Sequence, residues 1–185
     1  MLDLPIVDPH QHLWDFTRAH YGWLMDTPLA HNPAGDCTPI AKPYAIEDYL
    51  ADTRGYQISK VVHVEAGADP ANAIRETQWL SEVAQRHGYP QGIVAYCALQ
   101  RPDAANVLAA HREHANVRGI RQIINFHRDP LKTYTQRDLL DDAAWRKGYA
   151  LLAKHDLSFD LQIYPGQMPA AAELAARHEN TRLVL

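Results

Sequence analysis

Two histidines near the start of the chain, His10 and His12, are the residues best suited to carry chemistry. They follow the β-branched pair Ile6 and Val7, which predicts that the histidines close a first strand. In an extended strand the side chains of residues i and i+2 leave the same face, with Cα atoms about 6.6 Å apart. Two imidazoles placed in this way can bind one metal ion or one substrate oxygen, so we interpret them as half of a site.

Charged side chains lie on two later predicted strands. Glu65 lies near the end of predicted strand 59–66, where a carboxylate is costly unless it is paired or used. Arg121 lies on predicted strand 117–124, and a guanidinium can hold a carboxylate through two parallel hydrogen bonds. Arg121 can therefore bind an anion or pair with Glu65. The two roles are compatible, because the pairing can form in the unliganded state. His63, one layer deeper than Glu65, is predicted to be a core histidine.

Weaker candidates come from the fifth strand and from one loop. Gln162 and Tyr164 share a face of predicted strand 157–164 and suit hydrogen bonds to a hydroxylated substrate, with simple packing as the alternative. His127 follows the fourth strand. It is a possible polar contact to substrate or a solvated loop histidine.

Alternating strands and helices must position these groups. After the first strand, strands are predicted at 59–66, 92–99, 117–124, 157–164 and 181–185, and helices at 46–54, 69–87, from 102 onward, 139–155 and 168–178. Such βα units form parallel sheets. They match five units and a sixth strand of a (β/α)8 TIM barrel, which usually takes about 250 residues. We therefore expect an incomplete barrel, either a truncated chain or one that a partner completes.

One long segment lacks the periodicity of strands and helices. Residues 16–45 contain four prolines, but also aromatic and aliphatic residues that disordered tracts lack. We predict that this segment is a lid over the site, within a single domain that spans residues 1–185.

The opening run Val-Asp-Pro-His-Gln-His-Leu-Trp-Asp, residues 7–15, resembles the amidohydrolase superfamily. It is most similar to the lactonase-rich amidohydrolase-2 family, which includes sugar-acid lactonases and 2-pyrone-4,6-dicarboxylate lactonase. Shorter runs extend the resemblance: Val-Glu-Ala at 64–66, Gly-Ile-Arg-Gln at 119–122 and Tyr-Pro-Gly-Gln at 164–167.

The resemblance implies a hydrolase that acts on a lactone of a sugar acid or a dicarboxylic acid. It implies catalytic roles for His10, His12 and Arg121. It also implies substrate-binding roles for four further residues, Glu65, Gln162, Tyr164 and His127. One divalent metal, zinc, would bind His10 and His12, although a metal-independent reaction is the alternative.

Two expected parts of the family's site would lie beyond Leu185: a histidine after strand six, and the aspartate after strand eight that serves as general base. Gln162 occupies the position at which many metal-dependent relatives have a histidine. This difference weakens the hypothesis that the site holds two metal ions. Two other functions stay open. One is a zinc-dependent decarboxylase of the same superfamily, and the other is an inactive barrel fragment that keeps only a binding surface.

The composition of the chain limits the kinds of binding partner that we expect. The 185-residue chain is 46% hydrophobic with a net charge of −4, which argues against nucleic acid or an anionic membrane and favours a small-molecule substrate. The start of the chain carries Asp3 and no basic segment, so no secretory signal is expected. Two cysteines, Cys37 and Cys97, fit a reduced, cytoplasmic setting. A homo-oligomer is left open.

Overall fold

A computed structural model describes residues 4–185 of the chain, so Asp3 lies outside the described residues. Its centre is one parallel sheet of six strands in chain order, each paired with the next. The strands are β1 (Ile6–Gln11), β2 (Ile58–Val64), β3 (Gly92–Tyr96), β4 (Val117–Arg121), β5 (Ser158–Asp160) and β6 (Leu183–Val184). This order confirms the predicted incomplete (β/α)8 barrel.

Helices connect the strands and cover the sheet. They are α1 (Gly22–Met25), α2 (Ile46–Asp52), α3 (Ala73–His87), α4 (Ala104–Arg112), α5 (Ala143–Tyr149) and α6 (Met168–Arg177). The main core fills the layer between sheet and helices, where Trp145, Tyr149 and Phe159 are completely buried. Burying aromatic side chains of this size is the largest favourable contribution to such a layer. The buried layer fixes the strand ends from which the site is built.

The prediction of one continuous helix over residues 139–155 was wrong. The segment consists of a 3-10 turn at Leu139–Asp141, then α5, then a second 3-10 turn at Leu152–His155. Asp142 causes the first break, because its backbone is extended and its carboxylate accepts hydrogen bonds from the backbone N–H groups of Ala144 and Trp145. That is the geometry of a helix N-cap, so a new helix begins there.

The lid segment, residues 16–45, has little regular structure beyond α1 and a 3-10 turn at Thr38–Ile40. Its two ends meet where the backbones of Trp14 and Tyr44 exchange two hydrogen bonds of 3.0 Å. Inside this loop a small separate core forms from buried residues of the segment and of the loop after β2: Ala19, Tyr21, Leu24, Cys37, Ala66 and Ala68. The segment is thereby packed against the end of β2, and its action as a lid stays a prediction.

No helix within residues 4–185 is long and apolar enough to cross a membrane.

Candidate active site

The two histidines at the end of β1, His10 within the strand and His12 just after it, face each other. The Nε2 atoms of His10 and His12 lie 3.2 Å apart. The Nδ1 atom of His12 lies 2.8 Å from the carbonyl oxygen of Val64, and since a carbonyl only accepts, Nδ1 carries the proton. Burial lowers the pKa of His12 to about 4, so its ring is neutral at pH 7. Its Nε2 lone pair is therefore directed at the space next to His10.

This pair fits two ligands of one metal ion. Two nitrogen ligands of a tetrahedral zinc lie about 3.3 Å apart, close to the separation of the two Nε2 atoms. Metal-bound histidines also commonly donate their second ring N–H to a backbone carbonyl, as His12 does to Val64. Within the described part of the chain, however, no group of three His, Cys, Asp or Glu side chains converges. The described residues thus supply fewer ligands than the three of a usual catalytic zinc.

Arg121 and Glu65 form a buried ion pair beside the histidines. Arg121 Nε donates to Glu65 Oε1 at 2.8 Å, and Nη2 donates to the Glu65 carbonyl at 2.7 Å. Glu65 Oε2 accepts from the N–H of Gly67 at 2.8 Å. Burial raises the pKa of Glu65, and the charge of Arg121 opposes that shift. The predicted pairing of Arg121 with Glu65 is present, and its hydrogen bonds fix the orientation of the guanidinium.

The remaining Nη1 atom of Arg121 is directed at Gln162 and His10. It lies 3.3 Å from Gln162 Oε1 and 3.5 Å from His10 Nε2, the second of which is at the limit of a hydrogen bond. The guanidinium therefore joins the histidine pair to Gln162, which lies in the segment after β5 and not on the strand as predicted. Of the predicted site residues, the structure brings His10, His12, Glu65, Arg121 and Gln162 together.

Tyr164 and His127 lie elsewhere. Their rings contact each other edge to face at 6.0 Å, and the Tyr164 hydroxyl donates to the carbonyl of Lys132. Neither lines the cavity described next. His63 is completely buried, and its Nδ1 accepts from the backbone N–H of Leu13 at 3.2 Å, but its Nε2 has no hydrogen-bond partner among the described residues.

A cavity of about 750 Å³ opens at the carboxyl ends of the strands. Aromatic side chains form part of its wall, from the loop after β1, the end of β3 and the loop after β4: Trp14, Trp23, Tyr96 and Tyr134. Amide side chains form another part: Asn32, Gln100, Gln122, Gln136 and Gln162. Pockets of this size hold small ligands, and carboxyl strand ends are where TIM barrels bind them.

Sequence reasoning missed most of this wall. Tyr96 ends β3 and Gln100 follows it, so the carboxyl-end rule that selected Glu65 would have found both. Asn32 and Arg137 lie in irregular segments, and no periodic signal places them on the cavity.

A second buried acid, Glu76, lies behind the ion pair on the first turn of α3. Burial and the nearby charge of Glu65 raise the pKa of Glu76 to about 8. Tyr21 of the lid segment and the Ala66 backbone contact it and oppose the shift. At pH 7 Glu76 is therefore mostly a neutral acid, so Glu65 has no second buried negative charge beside it.

A parallel barrel wall with a polar, partly buried site at its carboxyl ends is the arrangement of TIM-barrel enzymes. The family model Amidohydro_2, described as amidohydrolase, matches residues 7–185. The chain belongs to this amidohydrolase family.

Proteins of similar sequence support the assignment, and their alignments show what share of each relative this chain covers. The uncharacterized protein y4mH of Sinorhizobium fredii is 44% identical over 186 residues, covering 100% of this chain and 62% of the relative. An L-fucono-1,5-lactonase of Burkholderia multivorans is 28% identical over 184 residues, covering 97% of this chain and 54% of the lactonase. The chain therefore spans little more than half the length of these proteins.

A solved amidohydrolase of Burkholderia multivorans has the same fold. Its crystal form with bound HEPES gives a TM-score of 0.71 at 25% identity, covering 98% of this chain and 56% of that one. Its zinc-bound crystal form gives a TM-score of 0.70 at 23% identity, with 97% and 56% covered.

Proposed function

We propose that the chain provides the substrate cavity of a lactone hydrolase, with the lactone of a sugar acid or a dicarboxylic acid as small-molecule substrate. The observation that carries the proposal is the convergence of Arg121 Nη1 with the His10–His12 pair beside one cavity. The L-fucono-1,5-lactonases among the relatives support the choice of a cyclic ester. Cytoplasmic location and homo-oligomerisation stay predictions.

Arg121 is the group suited to stabilise charge in this reaction. Hydrolysis of a lactone places negative charge on the carbonyl oxygen, and Nη1 can donate a hydrogen bond there. Glu65 and Gln162 already fix the guanidinium, so little reorganisation is needed as the charge develops. A preorganised donor of this kind is worth about 10²–10³ in rate.

We further propose that His10 and His12 supply two ligands to one divalent metal, zinc first. The 3.2 Å Nε2 separation and the zinc-bound amidohydrolase of the same fold support this. When bound, zinc would polarise the ester or lower the pKa of a water molecule toward about 7. Without metal, the neutral His12 can still accept a hydrogen bond at Nε2.

Two other functions compete with this one. The decarboxylase of the same superfamily has no specific support in the cavity. The other alternative, a binding surface without turnover, follows from the partial coverage of the relatives.

The test is hydrolysis of L-fucono-1,5-lactone, D-glucono-1,5-lactone and 2-pyrone-4,6-dicarboxylate, followed with a pH indicator with and without zinc. We expect at least one lactone to open faster than it does spontaneously, and Arg121→Lys to slow that reaction about 10²–10³-fold. Arg101→Lys, on the exposed surface, is the matched control. Binding of a lactone without any acceleration would instead support the binding-surface alternative.

A further inference from the structure

The orientation of one cavity amide, Gln100, is fixed through a neighbouring glutamine. Gln122 Oε1 lies 3.1 Å from the backbone nitrogen of Leu99 and 2.9 Å from Nε1 of Trp145. Both partners only donate hydrogen bonds, so the atom of Gln122 between them is the oxygen. Its amide nitrogen must then be the atom 2.9 Å from Gln100.

This arrangement determines which end of Gln100 reaches the cavity. Because Gln122 donates, the Gln100 atom it contacts is the oxygen, Oε1. Gln100 Nε2 is left with two N–H groups and no protein acceptor among residues 4–185. Gln100 lines the cavity, so it offers a hydrogen-bond donor there.

Two other amides of the wall have the same polarity. Gln162 Oε1 accepts from Arg121 Nη1 at 3.3 Å, and Asn32 Oδ1 accepts from the backbone N–H of Ala34 at 2.9 Å. In both cases the donor partner identifies the oxygen and leaves the amide nitrogen free. Arg137 adds a cation to the wall, held by Asp142 through Nε and Nη2.

Two strong acceptors of the wall, the carboxylate of Glu65 and the carbonyl of Ala66, are used within the protein. Glu65 is the one acidic residue among the described lining residues, and each of its carboxylate oxygens already accepts a hydrogen bond. The carbonyl of Ala66 accepts from Trp23 Nε1 at 2.9 Å. The amide nitrogens of Gln100, Gln162 and Asn32 are therefore free donors beside a carboxylate whose two oxygens are already in use.

We propose that Gln100 determines substrate specificity, held by Gln122 with its amide nitrogen toward the ligand, and that it selects a lactone bearing a carboxylate. This inference rests on the proposed lactone hydrolysis and narrows its substrate. A carboxylate accepts several hydrogen bonds and donates none, so it matches the free amide N–H groups of this wall. Each hydroxyl of a neutral sugar lactone also carries a proton that needs an acceptor, and leaving it unpaired costs affinity.

A matched pair of ligands tests the proposal. D-Glucaro-1,4-lactone carries a carboxylate where D-glucono-1,4-lactone carries a hydroxymethyl group, and the two share the lactone ring. Dissociation constants are measured by quenching of tryptophan fluorescence, because Trp14 and Trp23 line the cavity. We expect the wild-type chain to bind the glucaric lactone at least about tenfold more tightly, the size expected for hydrogen bonds to a charged group.

Two leucine variants assign the preference to one residue. Gln100→Leu removes the donor without adding charge, and it should bring the ratio of the two dissociation constants close to one. Gln136→Leu makes the same change at another lining glutamine, one outside the Gln122 contact, and should keep the preference.

A third variant reverses the polarity of Gln100. In Gln122→Glu one oxygen can still accept from Leu99 and Trp145, but the other forces Gln100 to donate to it and to turn its oxygen into the cavity. We expect the gluconic lactone to bind as well as before or better, while the glucaric lactone loses affinity. Thermal unfolding shows whether this variant folds, and if it does not, the two leucine variants still decide.

The outcomes separate the inference from the proposed function. Equal affinity for both lactones, or a preference that survives Gln100→Leu, would overturn the role of Gln100, even if both lactones are hydrolysed. A Gln100-dependent preference with no ring opening would leave the specificity inference standing and count against hydrolysis. A preference lost equally in Gln136→Leu would also overturn it.

Discussion

Arg121 makes two hydrogen bonds to Glu65, one to its carboxylate and one to its backbone carbonyl, with side chains only 9% and 2% exposed. Taking two charges out of water is costly, and only close geometry offsets that cost. The pair therefore contributes to stability chiefly because breaking it leaves one charge buried alone.

Glu65→Ala should lower the free energy of unfolding by about 3–5 kcal/mol, the usual cost of an unpaired buried charge. Urea denaturation at pH 7 measures the change. Asp103→Ala, which breaks the exposed contact with Arg101, is the control and should leave stability nearly unchanged. A similar midpoint for both variants would show that Arg121 finds another partner or water.

Glu76 predicts a pH dependence of stability. Its pKa rises from 4.5 to about 8 on folding, so between these values the folded state binds more protons than the unfolded state. This contribution to stability is complete below about 4.5 and is lost as pH rises through 8, at up to about 1.4 kcal/mol per pH unit.

Glu76→Gln should remove that loss, because an amide stays neutral. Compared with wild type in urea denaturation, the variant should gain stability from pH 5 to pH 9. Glu82→Gln, on the outer part of the same helix, should show no such gain. A wild-type minus variant difference that does not change with pH would contradict the raised pKa.

The order of strands and helices could be predicted because it depends on local periodicity. Alternation of buried strands and amphipathic helices is a property of short windows, and it placed all six strands. Details that depend on distant partners could not be predicted. Gly119 on β4 is one example, because a Cβ there would lie 2.2 Å from Ser158 Oγ on β5. The glycine serves the packing of two strands.

The same distinction between local and distant causes applies to the residues of the site. The proximity of His10, His12, Glu65 and Arg121 could be predicted, because the histidine spacing and the positions near strand ends are visible in the sequence. The polarity of Gln100 could not be predicted, because it depends on Trp145, a helix residue 45 positions away that orients Gln122.

His20 joins the lid segment to the loop after β2 through the carboxylate of Asp69, and it also contacts Asp26 within the segment. Its Nδ1 lies 2.7 Å from Asp69 Oδ2 and its Nε2 lies 2.9 Å from Asp26 Oδ1. Both contacts are hydrogen bonds only when both ring nitrogens are protonated. The hydrogen bond to Asp69 is the main cause of the raised pKa of His20. The doubly hydrogen-bonded, charged link is therefore present below the ordinary pKa of histidine, and it loses its charge and one hydrogen bond as pH rises through that raised pKa.

We expect trypsin to cleave the lid segment at Arg18 more readily at pH 9 than at pH 6. Cleavage at the exposed Arg101, in the same digest, corrects for the pH dependence of the protease. In His20→Gln the ratio of the two cleavages should be high and independent of pH. A pH step that persists in this variant would assign the effect to another group.

Gly67 allows the lid segment to approach β2. Its φ is +72°, and a Cβ on it would lie 2.9 Å from Nε1 of Trp23. Gly67→Ala should therefore lower the free energy of unfolding by more than about 1 kcal/mol and displace Trp23. Gly88→Ala is matched in backbone, with φ +78° and nothing within 4 Å of its Cβ. Only Gly67→Ala should shift the tryptophan emission, and equal shifts in both would contradict the contact.

The histidine pair predicts a measurable metal affinity. Because His12 is neutral at pH 7 and its Nε2 lies 3.2 Å from that of His10, zinc can bind both without first removing a proton from His12. Isothermal titration calorimetry should show zinc binding that weakens at least about tenfold in either His→Ala variant. His31→Ala, a loop histidine whose Nε2 contacts the carbonyl of Leu131, is the control. Zinc affinity that is equal in all four proteins would place the metal elsewhere and leave Arg121 as the centre of the site.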